Sequence, residues 1–88
     1  MDFKHDLAEL LGSNNAIAQK IAQQVKNIND ALEANAISAT EAEDLLKDIE
    51  VEKQLLVLAD DLKAKILVQK VIDGLVSIIT NFSSFIKP

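Results

Sequence analysis

Leu32-Glu33-Ala34-Asn35-Ala36-Ile37-Ser38-Ala39-Thr40-Glu41 is a helix stop followed at once by a helix start. Asn35 stands where a helix closes on a left-handed residue, and Asn is the usual substitute for Gly in that role. Three residues on, Ser38 and Glu41 have the spacing of a capping box. The Ser38 hydroxyl takes an orphan amide of the next helix, and the Glu41 carboxylate reaches back to the amide of Ser38. A stop and a start this close leave room only for a tight turn, so the spacing predicts two antiparallel, neighbouring helices. The hairpin sets the class as all-α.

Upstream of the turn, Ile17, Ile21, Val25, Ile28 and Leu32 form a ladder with spacings of four, four, three and four. This is the amphipathic period of a helix, here running from the caps offered by Ser13-Asn14-Asn15 to about Ala34. Ala18 and Ala22 widen the face and allow close approach of a neighbour. The opposite face is Gln, Asn and Lys, an ordinary solvated surface. Before it, Phe3, Leu7, Leu10 and Leu11 mark one side of a short helix over residues 2–11. Asp2, Asp6 and Glu9 make this helix acidic, and the helix dipole favours negative charge toward its N-terminal end. Gly12 is expected to end it in the left-handed conformation.

Downstream, Ala42, Leu45, Leu46, Ile49 and Leu56 keep one face of a helix that begins near Ala39. Glu52 and Lys53 break that face, and the apolar stripe shifts to Leu55, Leu58, Ala59, Leu62 and Ile66. No Gly or Pro falls between 55 and 61. The sequence therefore favours one continuous helix over a stop near Leu58 with Asp60 as a new N-cap. Residues 66–86 are the most apolar segment, and Gly74 within it costs a helix about 1 kcal/mol relative to Ala. The expected fold is a single domain of three to four helices: an antiparallel hairpin plus a long or kinked apolar C-terminal helix.

The chain has 88 residues, enough for one domain. So short a domain has a thin stability margin, and with no Cys it gains nothing from disulfides or thiolate metal sites. A helical chain that is 49% apolar at this length is often completed by self-association or by docking on a partner. All nine basic residues are Lys, and Tyr and Trp are absent. Nucleic-acid binding draws on Arg and stacking aromatics, and a net charge of −5 repels phosphate, so no nucleic-acid partner is expected. The first residues are charged and no apolar run follows them, so no secretory signal is read. No stretch of 18 apolar residues occurs. The expected location is the cytoplasm or a virion.

The chemistry available is sparse. His5 is the only histidine and lies four residues from Glu9, which reads as a surface His paired with a carboxylate. One His and no Cys make a poor transition-metal site. Glu41, Asp44 and Asp48 share a face within a wider acidic run that includes Glu43, Glu50 and Glu52. The alternating acids and central Gly of a calcium loop are missing. The acidic face reads as solvated helix, with a basic protein partner as the alternative. Neither a Gly-rich phosphate loop nor a Ser-His-Asp arrangement is present, so the expectation is a non-enzyme without cofactors.

Three destinations stand open for the C-terminal stripe: the domain's own core, an oligomer or partner interface, or a membrane surface. Lys63, Lys65, Lys70 and Lys87 against Asp73 make this part locally basic, as an interfacial helix requires. As an interface, the stripe of Val71, Leu75, Ile79, Phe82 and Ile86 would act together with Ile17, Ile21, Val25 and Ile28.

The stretch from Leu32 to Leu46, with Asn, Ile, Ser, two residues, Glu and then Leu45-Leu46, is similar to a hairpin common in small bacterial and phage helical proteins. The chain as a whole resembles short all-helical proteins encoded among tailed-bacteriophage virion genes. The resemblance covers about a sixth of the sequence through that phrase and carries over no functional residues. It implies a structural or assembly role. The functional expectation is a non-catalytic, homo-oligomeric interaction module of a structural or assembly kind. The alternatives are a membrane-surface helix formed by residues 66–86 and an acidic inhibitor of a basic protein.

Overall fold

The computed structural model describes residues 3–57 and 62–86, without the side chains of 57 and 83–86. Four helices follow in order: α1 (Phe3–Leu11), α2 (Ala16–Glu33), α3 (Ala39–Val57) and α4 (Leu62–Ile86). The fold is all-α, with no strand among the described residues.

The turn between α2 and α3 forms by the chemistry its residues prescribe. Asn35 adopts φ 56°. Its amide donates to the Leu32 carbonyl (3.1 Å), and the Ala36 amide donates to the Ala31 carbonyl (2.8 Å). These are the paired bonds of a Schellman motif, which satisfies carbonyls the helix end would otherwise orphan. The capping box closes on the other side. The Glu41 amide donates to Ser38 Oγ (3.1 Å), and the Ser38 amide donates to Glu41 Oε1 (3.0 Å).

The α1–α2 turn is built differently from the sequence expectation. Gly12 follows the last residue of α1, but its φ is not positive. The helix instead tightens: the Ser13 amide donates to the Leu10 carbonyl (3.0 Å), and the Gln19 side chain donates to the Leu11 carbonyl (3.1 Å). With those carbonyls satisfied, no left-handed residue is needed. Asn15 then caps α2, its Oδ1 accepting from the amides of Ile17 (3.0 Å) and Ala18 (3.1 Å).

Between α3 and α4 the favoured continuous helix is corrected. Lys53 Nζ donates to Gln69 Oε1. In one unbroken helix these residues would stand about 24 Å apart, so the chain reverses between them. The two helices instead pack along each other. Burial is the physical reason. Ala64, Val68, Ile72, Leu75 and Ile79 of α4 reach the core only if α4 folds back. Each large apolar side chain buried contributes about 1.5–3 kcal/mol, enough together to outweigh the lost helical turn. The alternative N-cap, Asp60, lies outside the described residues.

Successive helices alternate in direction. Glu52 of α3 lies against Lys20 near the start of α2, and Glu9 at the end of α1 lies against Lys63 near the start of α4. α2 and α4 run side by side at the centre, each touching the three other helices, while α1 and α3 flank them and do not touch each other. α4, at 25 residues, sets the long axis of a body measuring 45 × 23 × 18 Å. The core lies along the α2–α4 seam: Ile21, Val25 and Leu32 from one side, Val68, Val71 and Leu75 from the other, with Leu10 and Ile49 closing the flanks.

Gly74 has a specific duty. A Cβ there would collide with Cδ1 of Phe3 and stand 3.2 Å from its Cγ and Cε1. The missing side chain is what lets the Phe3 ring lie on α4 and hold the N-terminal end of α1.

Candidate interaction surface

The residues read as a candidate interface are mostly core. Ile21, Val25, Ile28, Val71, Leu75 and Ile79 are buried within the single chain, and Ile17 and Phe82 are half-buried against them. A second molecule cannot reach the buried six without opening the bundle, so as a contact surface they are corrected. Periodicity identifies a face that must be covered, and here the neighbouring helices cover it. The Ile86 side chain lies outside the described residues. Among the described residues no helix is long and apolar enough to cross a membrane.

The break in the α3 stripe at Glu52 and Lys53 is a pair of polar links rather than a change of face. α3 leans into the groove between α2 and α4, and these two adjacent side chains reach opposite ways. Glu52 accepts from Lys20 of α2 at 2.9 Å, and Lys53 donates to Gln69 of α4. Gln69 in turn donates to Asp73 at 2.8 Å. Exposed ion pairs contribute about 0–1 kcal/mol each, so these links serve register more than stability.

With the core on α2, α3 and α4 assigned, the remainder of the shifted stripe is left outside. Leu55 and Ile66 are about half exposed (51% and 48%), and Leu62 is 73% exposed. Val51, 62% exposed, lies one helical turn before Leu55 and is not among the stripe residues read from the sequence. Single exposed apolar residues are common. Here four of them fall toward the one end of the bundle where α3 finishes and α4 begins.

Beside them, a shallow groove of about 550 Å³ runs between α1 and α4. Leu62 and Ile66 lie along it, Asp6 and Glu9 enter from α1, and Lys63 and Lys70 enter from α4. Lys63 Nζ is 3.7 Å from Glu9, and His5 is 3.9 Å from the same carboxylate. His5 is thus an exposed residue beside a carboxylate, as its spacing predicts.

The acidic face is a solvated helix surface in its geometry. Glu41, Asp44 and Asp48 are all exposed. Glu41 is engaged in the capping box, and Asp44 lies 3.7 Å from Lys47. Among the described residues no three carboxylates or imidazoles converge to hold a metal ion. A second, smaller cleft of about 120 Å³ between α2 and α3 is lined by Ile28, Leu45 and Ile49, with the Gln24 side chain at its edge. No family model, curated protein or solved structure matches this chain.

Proposed function

We propose that this protein is a non-catalytic interaction module that self-associates, of a structural or assembly kind. One observation carries the reading. Leu55, Leu62 and Ile66 continue the chain's apolar pattern, yet the chain's own fold leaves them exposed at one end of the bundle. Large apolar side chains left exposed by a fold are the material of contact surfaces. The chain closes its core without them, so they are free to serve a contact. The hairpin's likeness to small tailed-phage proteins points the same way, toward assembly in a virion.

The test is solution mass by light scattering over a wide concentration range. A reversible dimer or larger defined oligomer is expected. The triple variant L55S/L62S/I66S should shift the mass toward monomer with an unchanged circular dichroism spectrum, because the three side chains lie outside the core. A wild-type protein that stays monomeric throughout overturns the reading.

A further inference from the structure

We infer that the cleft between α2 and α3 is a binding site for a single lysine side chain of a partner protein, with its ammonium received by Gln24 Oε1 and the Asp48 carboxylate. The site is separate from the exposed apolar group at the α3–α4 end, and the inference does not depend on self-association.

The walls of the cleft define the ligand. Ile28, Leu45 and Ile49 make it apolar, and its two polar members are Gln24 of α2 and Asp48 of α3. Gln24 Oε1 is buried, and no donor among the described residues reaches it. Asp48 has no ion pair among the described residues. A buried acceptor is costly to leave without a donor, so a fitting occupant brings donors. The carboxylate selects positive charge, and the apolar walls select an aliphatic stem. A volume of about 120 Å³ admits one side chain, whereas pockets for drug-sized molecules measure about 300–1,000 Å³. Lysine joins a compact ammonium, which only donates, to a flexible aliphatic stem. The planar fork of arginine suits bidentate pairing with one carboxylate instead.

One turn away the chain completes the same arrangement by itself. Because α2 and α3 are antiparallel, one turn forward along α2 is matched by one turn back along α3. Lys20 Nζ meets Glu52 at 2.9 Å across this seam. At the next level Gln24 takes the place of Lys20 and Asp48 the place of Glu52, both on the cleft, and the chain supplies no ammonium between them. A lysine from outside would repeat the pairing that Lys20 makes from within. Leu45 is 42% exposed, so the cleft is reached from solvent. Glu41 and Asp44 share the α3 face with Asp48, which favours a lysine carried on a basic segment over an isolated one.

The test titrates the full chain with a peptide of alternating lysine and alanine and with its arginine counterpart, which has the same charge. NMR follows the Gln24 side-chain amide and the methyl groups of Ile28, Leu45 and Ile49. The lysine peptide should shift these signals saturably, with a Kd on the order of millimolar or below. The arginine peptide should bind at least about threefold more weakly. Asp48→Asn and Gln24→Leu should each weaken the lysine peptide by about fivefold or more, and Gln24→Glu should tighten it by about threefold or more. Glu43→Gln removes an exposed acid outside the cleft and should change binding by less than about twofold. Circular dichroism reports that each variant is folded. Equal losses in Asp48→Asn and Glu43→Gln, or equal binding of the two peptides, would mean diffuse charge attraction and overturn the site. Cleft signals that stay unmoved by the lysine peptide overturn it as well. A solution mass that falls toward monomer in Gln24→Leu would assign the lysine to a second copy of this chain and overturn the choice of a different protein.

Discussion

Gly12 and Gly74 show how one residue type answers two different needs. At Gly12 an added Cβ would meet only the carbonyls of Glu9 (3.7 Å) and Ala8 (3.9 Å), an ordinary contact, and φ there is not positive. At Gly74 it would run into the ring of Phe3. Helix propensity alone favours Ala over Gly by about 1 kcal/mol in a helix interior. At 74 the displaced ring should cost more than that gain. Gly74→Ala is expected to lower stability by about 1 kcal/mol. In a Phe3→Ala background the collision disappears, and the same substitution should raise stability by about 0.5–1 kcal/mol. Urea unfolding of the four proteins of this cycle, followed by circular dichroism, measures the difference. Equal effects of Gly74→Ala in both backgrounds would show that the Phe3 ring does not depend on the missing side chain.

At the scale of elements, the α2–α3 hairpin was legible in the sequence because its determinants are local. Asn35, Ser38 and Glu41 act within a few residues of themselves, and each takes the expected role. Asn35→Ala is expected to cost about 1–2 kcal/mol, since a Cβ without a compensating polar group is disfavoured at φ 56°. Asn35→Gly should be at least as stable as wild type, and Ser38→Ala should lose about 1 kcal/mol. Thermal unfolding compares the three, and an Asn35→Ala protein as stable as wild type would remove the left-handed cap from the account. The α3–α4 reversal was not legible, because no Gly or Pro marks 55–61 and the driving force is distant. It comes from the burial of Val68, Ile72 and Leu75 against other helices, which a local window does not contain. The residues read as a candidate contact face are buried for a related reason. A period of 3.6 says that Ile21 and Leu75 are covered, and is silent on whether the cover is the same chain or another. Leu62 and Ile66 kept the period and lost the cover, and only tertiary packing separates the two cases.

At the scale of the whole molecule, the single chain closes its own core. The core gathers apolar side chains from all four helices, and the described large side chains fully buried in it, such as Leu10, Ile21, Ile49, Leu56 and Leu75, need no second chain. The exposed group at the α3–α4 end lies apart from that core and contributes little to monomer stability. An obligate oligomer would behave otherwise, because its unfolding would be inseparable from dissociation and its melting temperature would climb with concentration over the whole accessible range. For this chain, circular dichroism melts well below the dimer Kd should give a single cooperative transition whose midpoint does not move with concentration. Above the Kd of the proposed self-association the midpoint should begin to rise, since binding that favours the folded state adds stability by mass action. A midpoint that falls steadily on dilution, with no plateau, would mean that the bundle is incomplete alone and that the exposed side chains belong to its core.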